Sequence, residues 1–99
     1  FLKPNLVKIT HKTIIYLNPT IMNMKERIVV NPKIMVGKPI IRGTRIPVDA
    51  ILNRLADGMS ISDILEEYPN ITEEDIRAAL IYVSHVIAGE QIIPMVEAA

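Results

Sequence analysis

Lys38, Arg42 and Arg45 fall within one stretch of eight residues that is broken by Pro39 and Gly43 and preceded by Gly37. Cations held this close together on tight bends are suited to neutralising phosphate oxygens, the contact that positions a protein on a nucleic acid. Arg27 and Lys33 extend the group toward the N-terminus with Lys25 behind them, and Thr44 lies inside it. The candidate DNA contacts are therefore Arg27, Lys33, Lys38, Arg42, Thr44 and Arg45, used as backbone clamps or as a β-ribbon in a groove. The competing reading is structural: Arg42 and Arg45 serve the fold, with Arg45 paired to an acid of the helical half in its own chain or a partner chain.

Other constellations carry less chemistry. Gly37-Lys38 and Gly43-Thr44 do not make a phosphate loop, because the order G-x-x-x-x-G-K-[ST] is absent and no helix start follows directly. Glu66, Glu67, Glu73, Glu74 and Asp75 gather carboxylates, but they straddle Pro69 and most fall at exposed helical positions. A solvated acidic face, attracted to a basic partner, suits that pattern better than a metal or acid–base site. His11 and His85, the two imidazoles, stand in separate segments, and Tyr68 beside Pro69 reads as a core-edge contact rather than a base-stacking ring. With no cysteine there is no thiolate, no disulfide framework and no cysteine zinc site, and the compartment expected is a reducing cytoplasm. No nucleophile, base and orienting group are set close together, so the expectation is a non-enzyme that uses neither metal nor cofactor.

The formal net charge of zero conceals a division. Residues 1 to 47 hold nine Lys/Arg against Glu26 alone, a balance of +8, whereas residues 48 to 99 hold Arg54 and Arg77 against ten acids, a balance of −8. Opposed halves of this kind attract head to tail between protomers, or present one face to a polyanion and the other to a basic protein. A hydrophobic fraction of 49% excludes a disordered tail, and no apolar run approaches the length of a membrane span or signal core, so no membrane partner is expected. A chain of 99 residues fits one domain that buries only about two-thirds of its unfolded surface, which a second copy would supplement.

The elements that must hold these residues divide the chain into four parts. Residues 1–23 contain no acid and alternate loosely through Leu6-Val7-Lys8-Ile9 and Ile14-Ile15-Tyr16-Leu17, which suits strand and reads as an atypical N-terminal extension ahead of a natural start at Met24. Residues 24–47 form a basic β unit: Ile28-Val29-Val30, a turn at Asn31-Pro32, Ile34-Met35-Val36, a two-residue type II′ hairpin at Gly37-Lys38, and a second reversal at Arg42-Gly43. After Pro47 the apolar period changes from two to 3.6, and residues 48–88 are expected to form three helices. Val48, Ile51, Leu52 and Leu55 stripe the first, which stops at Asp57-Gly58. Ser60 to Asp63 and Thr72 to Asp75 each cap the start of a further helix. The last helix runs through Ile76, Ala79, Leu80, Val83, Val86 and Ile87 to a stop near Gly89. Residues 89–99 are an apolar tail without helical spacing. The fold expected is α+β and mostly α: a three-helix, helix-turn-helix-like domain preceded by a small β-hairpin unit and assembled as a dimer.

Asn31-Pro32, the run Gly37-Lys38-Pro39-Ile40-Ile41-Arg42-Gly43-Thr44-Arg45-Ile46-Pro47-Val48, Ala56-Asp57-Gly58, Tyr68-Pro69 and Thr72 to Leu80 together resemble the family known as domain of unknown function 433. The resemblance covers about residues 26 to 86, and its most specific part is the G-K-P-x-I-x-G-T-R-I-P-V block, matched throughout. Members are treated as VapB-like antitoxins. The resemblance implies a homodimeric helix-turn-helix protein that neutralises a PIN-like ribonuclease toxin and, in many such pairs, represses its own operon by binding operator DNA. In a standard helix-turn-helix the start of the last helix meets the DNA, yet here that start is Glu73, Glu74 and Asp75, which repel phosphate and move any DNA contact to the basic β unit. Toxin contact is expected from the apolar tail, at Ile92, Ile93, Met95 and Val96, assisted by the acidic helical face covering the ribonuclease's RNA channel. The alternatives are a DNA-binding transcriptional regulator without a toxin and a structural dimerisation module.

Overall fold

The computed structural model describes residues 19–90 and 94–97. The order of elements is α1 (Pro19–Arg27), β1 (Ile28–Val30), a three-residue 3-10 turn η1 (Met35–Gly37), β2 (Pro39–Ile41), α2 (Val48–Ala56), α3 (Ile61–Glu67), α4 (Glu73–Ile87) and β3 (Met95–Val96). It is an α+β arrangement, mostly helical, around a small mixed sheet.

The three helices expected after Pro47 are present. Ser60 Oγ accepts from the Asp63 N–H at 3.0 Å and the Asp63 carboxylate accepts from the Ser60 N–H at 3.1 Å, a reciprocal cap that starts α3. Thr72 and Asp75 repeat it at α4, at 3.3 and 2.9 Å. Asp has a shorter reach than Glu, yet both boxes close.

The N-terminal expectation needs correction where the structure describes it. Residues 19–23, read as part of a strand-like extension, belong instead to α1, which crosses the expected boundary at Met24 without interruption. Pro19 suits the first helical position, where its missing N–H costs nothing, and Ile21 and Met24 lie one turn apart and face the core. Alternation in the preceding residues masked this short amphipathic stripe. The earlier strand-like runs lie outside the described residues.

The β unit also departs from expectation. β1 and β2 pair antiparallel in the register Ile28↔Ile41, Val29↔Ile40, Val30↔Pro39, but the connection is the whole of residues 31–38 rather than a type II′ turn at Gly37-Lys38. Ile34-Met35-Val36 is not a strand. The Asn31 side chain accepts from the Lys33 N–H at 2.9 Å, and Pro32 has no N–H to continue a ladder, so the strand ends at Val30. Met35, Val36 and Gly37 then all take positive φ, at 52°, 57° and 77°. The second reversal is as expected: Thr44 N–H donates to the Ile41 carbonyl at 3.0 Å, with Gly43 at φ 81°.

β3 lies parallel to β1, pairing Val29↔Met95 and Val30↔Val96, so the sheet order is β2-β1-β3. Ile28 and Val29 of the central strand are fully buried. The core continues through Met24, Ile41, Ile51, Ile64 and Ile76, with Ala78 and Ala79 letting α4 approach its neighbours closely. Removing each large aliphatic side chain from water supplies roughly 1.5–3 kcal/mol. α1 packs along α4, and no helix among the described residues is long and apolar enough to cross a membrane.

Candidate functional site

Three of the basic residues singled out in the sequence, Arg27, Lys38 and Arg42, are tied to carboxylates elsewhere in the fold. Arg27 closes α1 and reaches the start of α4, where Nη2 lies 2.7 Å from Glu74 and Nη1 lies 3.0 Å from Asp75. Its guanidinium is thus spent across two carboxylates at a helix N-terminus, where negative charge is favoured by the helix dipole and a bridging cation ties the element down. Lys38 ends η1 and pairs with Asp49 in the first turn of α2 at 3.1 Å. Arg42, on the β2 bend, lies 3.9 Å from Glu97 and donates through Nη2 toward the Met95 sulfur at 2.9 Å.

Thr44 has a structural task. Its hydroxyl donates to the Ile41 carbonyl at 2.8 Å and accepts from the Ile46 N–H at 3.0 Å, which fixes the bend between β2 and α2. Lys33 and Arg45 differ from the others: both are exposed, and neither forms an ion pair among the described residues. The bends therefore keep two uncommitted cations, while Arg27, Lys38 and Arg42 meet carboxylates of the same chain.

The structure brings two sets together that the sequence treated as separate. Arg42, a candidate DNA contact, touches Met95, a candidate toxin contact, along the edge of β3. Met95 and Val96 remain 45% and 62% exposed although both sit in the sheet, and β3 is an edge strand among the described residues. Edge strands with exposed apolar side chains are templates for strand addition by another chain. Ile92 and Ile93 lie outside the described residues.

On the helical side most carboxylates also have partners. Arg54 forms a two-pronged pair with Glu67, at 3.0 and 2.8 Å, and its guanidinium carbon stands 4.9 Å from the Tyr68 ring centre. The Arg54 hydrogen bond holds the Glu67 carboxyl below its ordinary range, and Glu67 in turn raises Arg54. Tyr68 is thereby a core-edge contact, as the sequence indicated. Glu73 pairs with Arg77 one turn on at 3.5 Å, and His85 Nδ1 meets Glu90 at the end of α4. Partial burial alone pushes Lys25 down and the Tyr82 phenol up.

No group of three or more His, Cys, Asp or Glu that could hold a metal ion occurs among the described residues. Two features escaped sequence reasoning. One is the protruding Met35-Val36 turn, whose left-handed backbone has no sequence signal beyond Gly37. The other is an apolar groove beside it, lined by Pro39, Val48, Leu52, Tyr82 and Val83. Tyr82 adjoining the apolar stripe of α4 was the available clue.

These features define a small, mostly helical α+β domain that, among the described residues, has exposed apolar side chains on an edge strand and several charges paired within the chain. A family profile described as protein of unknown function (DUF433) matches residues 28–83, and the chain belongs to that family. It is 40% identical over 58 residues to the uncharacterised protein y4eO of Sinorhizobium fredii, a match spanning 59% of this chain and 26% of that protein. The chain thus corresponds to about a quarter of that relative's length. An uncharacterised protein of Archaeoglobus fulgidus is 76% identical over 25 residues, spanning 25% of this chain and 69% of the relative. Among solved structures, a DUF433 member from Anabaena variabilis superimposes with a TM-score of 0.61 at 27% identity, covering 89% of this chain and 80% of that one.

Proposed function

We propose that the chain is a VapB-like antitoxin of a type II toxin–antitoxin pair, a homodimeric helix-turn-helix-type protein that neutralises a PIN-like ribonuclease through its C-terminal segment. The observation that carries the reading is β3: a docked strand whose Met95 and Val96 still face solvent and which is an edge strand among the described residues. A toxin segment that adds to this edge would gain main-chain hydrogen bonds while covering both side chains. The acidic face contributes less than its composition suggests, because Glu67, Glu73, Glu74 and Asp75 already meet arginines of the same chain. This is binding, not catalysis. Co-expression tests it: deletion of residues 88–99 is expected to abolish neutralisation, and survival of neutralisation in that variant would refute the mechanism.

A second reading, operator binding, is favoured by Lys33 and Arg45, the exposed cations without a described carboxylate partner. The α2–α3 turn has the short connection of a helix-turn-helix, but Asp63, Glu66 and Glu67 on α3 make it as poor a reading head as α4. DNA contact would therefore fall to the bends. Removing both cations should flatten the salt dependence of operator affinity by about two phosphate contacts.

A further inference from the structure

Val36 is 95% exposed and β-branched, and it sits at φ 57° between Met35 and Gly37, which share the left-handed conformation. An apolar side chain fully in water on a strained backbone gains nothing for the folded monomer. The nearby groove has the opposite shape. It encloses about 220 Å³ between the start of α2 and the middle of α4, is lined by Pro39, Val48, Leu52, Tyr82 and Val83, and carries the Lys38–Asp49 pair on its rim. Val86, 48% exposed, continues the same face one turn along α4.

We infer that the Val36 tip and this groove form a self-complementary face that a second copy of the chain covers, the tip of each copy filling the groove of the other. Three observations point to a second copy as the occupant. The knob and the socket adjoin: Val36 is two residues from Lys38, which lines the groove, a span of at most about 7 Å. A two-fold interface requires this juxtaposition, because each surface patch must present both halves of the contact. The charges also match. Residues 31–38 contain Lys33 and Lys38 and no carboxylate, while Asp49 stands on the groove rim. Lys33, which has no ion-pair partner among the described residues, would join the Lys38–Asp49 pair of the second copy, where the half-exposed Asp49 carboxylate bonds Lys38 through Oδ2 and has a second oxygen to offer. Finally, Val36 does not occupy the groove of its own chain, as its exposure demonstrates.

The inference rests on the homodimer of the proposed function but is independent of the toxin. Sedimentation velocity of the full chain, with no other component, measures it. The wild type is expected to dimerise, and Val36→Asp to weaken the dimer about tenfold or more. Val36→Gly, which suits the left-handed backbone, should weaken it too while keeping the fold, as circular dichroism would register. The chain has no cysteine, so a mixture of Val36→Cys and Leu52→Cys treated with a short bis-maleimide should yield a mixed cross-linked pair that neither variant forms alone. A wild type that stays monomeric at about 100 μM overturns the inference. So does a dimer that Val36→Asp leaves intact or a mixture without mixed product, and in those two cases a homodimer through another face survives.

Discussion

Val36 pays for its position in two ways, through strain and through exposure. A β-branched residue in the left-handed region costs on the order of 1–2 kcal/mol, which glycine avoids, although glycine loses about 0.5–1 kcal/mol in unfolded-state entropy. Val36→Gly is therefore expected to raise stability of the dilute monomer by about 0.5–1 kcal/mol, measured by urea unfolding below the association range. A second residue-scale expectation concerns Glu67. Arg54 holds its carboxyl below the ordinary range, so the folded form binds its proton less readily than the unfolded chain. The stability this supplies is complete above the ordinary glutamate range and is lost as pH falls through the lowered value. Arg54→Met should therefore be less stable than the wild type at neutral pH and lose part of its acid sensitivity, so melting curves of the two converge as pH falls through the lowered Glu67 value. At this scale the sequence was legible wherever chemistry is local. The two capping boxes, the Arg42-Gly43 bend and the core-edge role of Tyr68 could all be read from neighbouring residues. The partners of Arg27 and Arg42 could not, because they lie 48 and 53 positions away in sequence.

Among the elements, α4 is the spine: it packs against α1, α2, α3 and β1. Ile76, fully buried at its first turn, belongs to the core cluster that these elements enclose. Ile76→Ala should cost about 2–5 kcal/mol, enough to remove much of a small domain's stability, and thermal unfolding would register it. The helices after Pro47 were legible because their apolar stripes repeat over several turns and their ends are capped. α1 was not, since its stripe has only Ile21 and Met24 before β1 begins. The β1–β2 connection was misread for a different reason. A glycine between apolar stretches signals a tight turn, but Asn31 and Pro32 had already ended the strand, so the reversal began six residues earlier than Gly37 suggested. β3 was foreseen only as part of an apolar tail without helical spacing. Parallel pairing with β1 depends on where the chain returns, which no local pattern records.

Among the described residues the opposed charges of the two halves meet through three cations of the basic half. Arg27, Lys38 and Arg42 of the basic half meet Glu74, Asp75, Asp49 and Glu97 of the acidic half. The charge division seen in the sequence is thus partly an intramolecular complementarity, and it leaves less field for distant partners than the balances of +8 and −8 imply. Outward-facing apolar surface includes the Val36 tip beside its groove and the strand edge at Met95 and Val96, with Lys33 and Arg45 as exposed cations on the bends. On this account a second copy uses the first and the toxin uses the second, so the two contacts are separable by substitution. The most direct measurement is the affinity of the full chain, by titration calorimetry, for a PIN-like ribonuclease, the proposed partner, compared with that of the Met95→Asp/Val96→Asp double variant. Both substituted side chains are exposed, so the variant should keep its fold and its dimer while losing at least about a hundredfold in toxin affinity. Binding of the double variant as tight as that of the wild type would contradict the account.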